Sequence, residues 1–320
     1  MITTRWWLVV GVVWLVFWPA AASAQGSAWE KHMAAGAEAF QKGRYADAEK
    51  SLKAGLKEAE AFGSRDPRLA TTLNNLAEVY RAQGKYARAE PLYKRALAIV
   101  EKAKGLQHPD VGTILDNLAE VYRAQGKYAR AEPLYKRGLS IVEKARGPEH
   151  LEVAASLDNL VELYRIQGKY AEAEQFERRA LSIREKTLGA EHPDVATNLN
   201  NLAALYASQG KYAEAEPLFK WALAIVEKAR GPEHPDVANT LDNLGRLYAN
   251  QGKYAEAEPL FKRALAIVEK ARGPDHPDVA PFLEDYAALL RRMNRAAEGS
   301  KMEARAKAIR AKHARENPTR

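Results

Sequence analysis

The chain has 320 residues, 47% of them hydrophobic, no cysteine, and a formal net charge of +8. Without cysteine there are no disulfides, no thiol chemistry and no thiolate zinc, so the fold rests on buried apolar area, for which this length suffices. The excess charge sits at Arg5 and in residues 291–320, leaving residues 6–290 neutral. The basic stripe of a nucleic-acid binder is therefore missing from the body of the chain.

Residues 1–24 read as a secretory signal peptide. Arg5 gives a basic start, Trp6–Trp18 is apolar apart from Gly11, Pro19 breaks the run, and Ala22-Ser23-Ala24 fits the A-x-A cleavage pattern. The rival reading, an uncleaved anchor, needs about 20 apolar residues, more than this run holds before the proline. Cleavage is expected after Ala24. That makes the mature protein exported, periplasmic or secreted, with no membrane span.

From there the sequence repeats. Q-G-K-Y recurs at 83–86, 125–128, 167–170, 209–212 and 251–254, a period of 42 residues. A fixed period in this range marks a solenoid of stacked units. In the copy at 108–146, His108-Pro109-Asp110 opens a helix, with proline and an acidic residue in its first turn. Leu115, Leu118, Ala119 and Tyr122 form its apolar stripe. Gln125-Gly126-Lys127 ends it, glycine taking the left-handed cap. A second helix starts near Tyr128, with apolar Ala131, Leu134, Tyr135, Gly138, Leu139 and Val142. Prolines at 91, 133, 217 and 259 fall inside the second helices and predict mild bends. Gln175 takes that place in the middle copy. Glutamate and lysine at i, i+4, as at Glu90 and Lys94, read as a solvated face.

These residues, above all L-N-N-L-A-x-x-Y and A-E-A-E-P-L-F-K-R-A-L-A-I, resemble tetratricopeptide repeats. The 42-residue length and the H-P-D-V linker are similar to the kinesin-light-chain type. The resemblance implies an all-α, right-handed superhelical solenoid of antiparallel helix hairpins. Five repeats cover 66–275. Residues 25–65 form a looser N-terminal capping hairpin, and 276–320 a degenerate C-terminal capping repeat with a basic tail.

Chemistry-bearing residues are periodic, whereas an enzyme normally shows one non-repeating cluster. His108, His150, His192, His234 and His276 share one loop slot. Stacking spaces them by about 10 Å, too far to converge on one metal ion, so helix capping is the expected role. No catalytic residue, metal site or cofactor site is predicted, and no nucleophile, zinc or nucleotide motif is present.

The asparagine column Asn75, Asn117, Asn159, Asn201 and Asn243 is the leading candidate site. The resemblance implies that first helices line a concave groove, where such asparagines hydrogen-bond the backbone of an extended cargo peptide. Two readings stay open, since the same amides can instead bond the neighbouring repeat. Beside the column stand Glu78, Glu120, Glu162, Ala204 and Arg246, and one turn on Arg81, Arg123, Arg165, Ala207 and Ala249. The first part of the groove is thus lined by Glu–Arg pairs and the later part is small and apolar. The glutamates and arginines also admit a bland reading, in which they neutralise one another on a wet face. Asn74, Asp116, Asp158, Asn200 and Asp242 occupy the step where a lysine-rich carboxylate clamp would need cations, so binding of an acidic chain terminus is not implied. Trp221 stands where other copies carry Arg95, Arg137, Arg179 and Arg263. It reads as a partner anchor or as a solitary apolar surface residue.

The expected function is a non-enzymatic scaffold or adaptor of the cell envelope that holds a protein or peptide in the groove. The alternative is a regulatory or assembly subunit of an envelope enzyme, binding through its edge and basic tail.

Overall fold

The computed structural model describes residues 27–316; the signal segment lies outside them. Among the described residues there are fourteen helices and no strand. They fall into two compact units, 27–167 and 168–316.

The first unit holds α1 (Ala28–Gln41), α2 (Tyr45–Ala61), α3 (Pro67–Ala82), α4 (Tyr86–Lys104), α5 (Pro109–Ala124), α6 (Tyr128–Arg146) and α7 (Leu151–Ile166). Helices α1/α2, α3/α4 and α5/α6 pack as hairpins, each second helix packs on the next first helix, and α5 touches both α3 and α7. The second unit holds α8 (Tyr170–Leu188), α9 (Pro193–Ser208), α10 (Tyr212–Arg230), α11 (Pro235–Asn250), α12 (Tyr254–Arg272), α13 (Val279–Arg292) and α14 (Ala296–Glu316). It repeats the scheme with hairpins α9/α10, α11/α12 and α13/α14, and α11 touches α9 and α13. Each unit therefore presents a face of successive first helices and a face of second helices.

Local chemistry sets these boundaries. Nδ1 of His108 accepts the Asp110 amide at 3.2 Å, and His192, His234 and His276 do the same two residues on. The histidines thus work as helix caps, satisfying an amide that the helix itself leaves free. His150 makes the same bond to Glu152 without a following proline, so the α6–α7 linker is capped like the rest. At the degenerate end, Asn294 adopts φ 61° where the repeats place glycine, and α13 ends as the others do. The second helices run unbroken through Pro91, Pro133, Pro217 and Pro259.

Alanines and one aromatic fill the helix crossings. Ala89, Ala96, Ala131, Ala215, Ala222, Ala257 and Ala264 are fully buried, as are Tyr93, Tyr135, Phe219 and Phe261 to within 2%. In α6 the buried residue of the last turns is Ile141, with Val142 only half-buried. Tyrosines that close the first helices tie each repeat to the one before. Tyr80, Tyr122 and Tyr164 donate to Glu49, Glu90 and Glu132 at 2.8–3.1 Å. Tyr206, Tyr248 and Tyr286 donate to Glu174, Glu216 and Glu258 at 2.9–3.2 Å. The i, i+4 glutamates are therefore bridges between repeats, and only their lysine partners, such as Lys94 at 53% exposure, are solvated.

Candidate functional site

The asparagine column lies on the first-helix face, and its members differ in what they bond. Asn75 is buried and its Oδ1 accepts from Asn74 Nδ2 at 3.3 Å. Asn117 donates from Nδ2 to Asn74 Oδ1 of the preceding repeat at 3.2 Å, and Asn243 donates to Asn200 Oδ1 at 3.2 Å. At these positions the amide does the structural job. Asn159 is half-buried and Asn201 buried, and neither makes a protein hydrogen bond among the described residues.

The reason for the difference at Asn159 lies across the α5–α6 crossing. Asn159 would donate to Asp116, the residue equivalent to Asn74. Asp116 instead turns inward. A Cβ built on Gly138 would collide with its Oδ1 and stand 3.2 Å from its Cγ. The copies at Ala96, Ala180, Ala222 and Ala264 fill that space with a methyl group. Gly138 thus admits the carboxyl, leaves Asp116 Oδ1 buried without a hydrogen-bond partner, and withdraws the acceptor from Asn159. Burial pushes the Asp116 carboxyl up to about 8. The signal for this was present in the sequence as the single glycine in a column of alanines.

The Glu–Arg pairs form a semi-buried row. Arg81 donates to both oxygens of Glu78, and Tyr93 donates to Glu78 Oε2 at 2.7 Å. Arg123 donates to Glu120 at 2.5 and 2.7 Å, and Tyr135 donates to the same carboxylate at 2.9 Å. Arg165 donates to Glu162 at 2.8 Å. Burial first, and then the charge of Glu78, push the Tyr93 phenol well up, so it stays protonated as a donor. Where Ala204 and Arg246 replace the glutamate, Phe219 and Phe261 replace the tyrosine. Arg246 Nη1 lies 3.8 Å from Asp285. Ala207 is half-buried and Ala249 buried, so this stretch of the face carries methyl groups where the first unit carries ions.

Asp242 and Glu258 are held within the fold as well. Asp242 is only 7% exposed. Glu258 accepts from Tyr286 at 3.0 Å, Arg295 at 2.8 Å and Lys262 at 2.8 Å. Hydrogen bonds from Lys262 and Arg295 hold its carboxyl down at about 2.

Trp221 belongs to α10, a second helix, and is 43% exposed. The basic C-terminal segment is mostly the packed helix α14. Arg305 reaches Glu269, Arg310 reaches Glu284 and Lys312 reaches Asp275, at 2.5–3.1 Å. Among the described residues, no group of three or more His, Asp or Glu side chains is placed to hold a metal ion. No helix among them is long and apolar enough to cross a membrane.

Capped helix pairs repeating every 42 residues and locked by Tyr–Glu bridges define a helical-hairpin repeat protein. The tetratricopeptide repeat model matches residues 32–102, 110–186, 178–228, 194–270 and 236–312, and the chain belongs to that family. Among solved structures, a putative kinesin light chain from Podosopora anserina with nearly identical TPR-like repeats is 29% identical. It has a TM-score of 0.58 over 65% of this chain and 98% of that one. BtubC (BKLC) from P. vanneervenii is 24% identical, with a TM-score of 0.57 over 73% of this chain and 91% of that one. The apo form of RapI is 18% identical, with a TM-score of 0.69 over 90% of this chain and 99% of that one. The last two likenesses show the fold alone. No curated protein sequence matches the chain.

Proposed function

We propose that the protein is a non-enzymatic adaptor that holds an extended segment of a partner protein along its first-helix face, and that it works in the cell envelope after export. The observation that carries this reading is the amide of Asn159. It stands half-exposed on α7 with no protein partner, because Gly138 has drawn Asp116 away from it. A side-chain amide with both donor and acceptor unused matches the backbone of an extended peptide. Asn117 Oδ1, one repeat before it, is likewise without a protein donor. The Glu120–Arg123 and Glu162–Arg165 pairs beside them leave this stretch polar but neutral, which suits an uncharged or zwitterionic segment. The alternative, docking through a basic tail, draws less support because Arg305, Arg310 and Lys312 are already paired within the fold. Export rests on the layout of residues 1–24 and predicts an N-terminus at Gln25 by sequencing of the exported protein.

The test is affinity capture from an envelope extract with the wild-type chain and with an Asn117→Ala, Asn159→Ala variant. Each lost hydrogen bond weakens binding by about 0.5–1.5 kcal/mol, so the pair lowers affinity at least about fivefold. The variant is expected to keep its helical circular dichroism while losing the captured protein, with the melting temperature lowered only by the loss of the Asn117–Asn74 bond. Undiminished capture would place the site elsewhere, and unfolding would make the asparagines structural.

A further inference from the structure

We propose that Trp221, the Glu185 carboxylate and the Ala190 carbonyl form a socket on the second-helix face that receives an arginine side chain from a partner protein. The argument starts from what the other copies do in the same slot. Arg95 Nη1 reaches Glu60 at 3.1 Å. Arg137 Nη2 reaches Glu101 at 2.7 Å and the Leu106 carbonyl at 3.4 Å. Arg263 Nη2 reaches Glu227 at 2.6 Å and the Pro232 carbonyl at 3.2 Å. Arg305, in the last hairpin, reaches Glu269 at 2.5 Å and the Pro274 carbonyl at 2.8 Å. Arg137, Arg263 and Arg305 therefore clamp a second helix to the glutamate and the linker carbonyl of the repeat before it, and Arg95 holds a glutamate alone.

At the α8–α10 step the clamp is missing its arginine. The 42-residue period carries Glu227 back to Glu185 and Pro232 back to Ala190, so the repeat keeps a residue at each acceptor position. Position 221 supplies an indole instead. The Glu185 carboxylate makes no hydrogen bond or ion pair among the described residues. Trp221 makes none either and stays 43% exposed. An acceptor pair that this chain elsewhere fills with arginine is thus left open beside an aromatic face. Arginine fits better than lysine. Its planar guanidinium stacks on indole while donating in two directions, to a carboxylate and to a carbonyl, whereas an ammonium is a hydrated point charge. The exposed ring also adds the apolar contact area that partner anchors use.

The socket is tested on the full chain with N-acetyl-arginine amide as probe and N-acetyl-citrulline amide, which has the same shape without the charge, as its control. The Trp221 indole N–H resonance, assigned by loss in Trp221→Phe, is expected to shift saturably with the arginine probe. The citrulline compound should bind at least fivefold more weakly. Glu185→Gln should weaken arginine binding at least fivefold while the rest of the spectrum stays unchanged. Trp221→Arg restores the internal clamp, and should abolish saturation transfer to the probe and raise the melting temperature. The proposal fails if the indole does not shift, if citrulline binds as well as arginine, or if Glu185→Gln binds normally. In those outcomes Trp221 is a solitary surface residue.

Discussion

The aromatic slot at the helix crossing is set by the residue it faces. Tyr93 and Tyr135 stand opposite Glu78 and Glu120, and Phe219 and Phe261 stand opposite Ala204 and Arg246. In these four copies a hydroxyl is kept where a carboxylate accepts it and dropped where none does, since an unpaired buried polar group costs about 1–3 kcal/mol. Tyr93→Phe removes one of two partners of a glutamate that is 4% exposed, and should cost about 0.5–1.5 kcal/mol. Phe219→Tyr buries a hydroxyl beside Ala204 with no acceptor and should cost about 1–3 kcal/mol. Denaturant midpoints of the two variants check both; a silent Phe219→Tyr would mean that the slot has room for water. The paired change was visible in the sequence as two columns that switch together in four of the five copies; the copy with Glu162 carries Glu177 in the aromatic slot. Which hydroxyl meets which carboxylate was not, because the residues are fifteen apart and on different helices. The asparagine column was legible as a column, but its members' different partners were not. Those depend on side-chain directions set by a neighbour outside the column.

That neighbour makes the α5–α6 hairpin chemically unlike the others. Asp116 titrates at about 8 in the folded protein against an ordinary value of 3.8, with burial as the cause. Between those values the folded state holds a proton that the unfolded chain has released. Stability therefore falls as pH rises through that window and levels off above it. Asp116→Asn removes the titrating group, as Asn74 and Asn200 do in their copies. Its melting temperature should be flatter than wild type between pH 5 and 8, with the difference between the two slopes at least about 2 °C over that span. Gly138→Ala should flatten the same slope by a different route. The added methyl drives Asp116 out of the crossing and back toward Asn159, which then regains an acceptor. So Gly138→Ala should also lose the captured partner with Asn117 and Asn159 intact. If it keeps both the pH slope and the partner, the carboxyl and the amide are not linked. Helix boundaries, by contrast, were readable residue by residue. His-Pro-Asp and Gln-Gly-Lys act through backbone bonds within a few residues, and such local chemistry does not depend on packing.

At the scale of the molecule the period of 42 was enough to specify stacked hairpins, because each repeat bonds only its neighbours and does so with the same atoms. This makes the array tolerant of losing a whole copy and intolerant of small changes within one. Removing residues 194–235 joins Pro193 to Asp236 and leaves the H-P-D-V linker intact. The junction deletes α9 and α10 as a unit and brings α11 against α8. Tyr248, which bonds Glu216, then meets Glu174, the residue that Tyr206 bonds at 3.2 Å in the complete chain. The glycine turns and histidine caps on either side are unchanged. The shortened protein should fold with the same helicity per residue and a single cooperative transition at a lower melting temperature. Ala203→Leu is the contrasting change. Ala203 is fully buried among Tyr206, Phe219 and Leu244, so three added carbons overpack the crossing and should cost about 1–3 kcal/mol. Circular dichroism and urea midpoints of the two variants decide the matter. An unfolded deletion beside a silent Ala203→Leu would mean that the repeating unit is cut in the wrong register and that its core lies elsewhere.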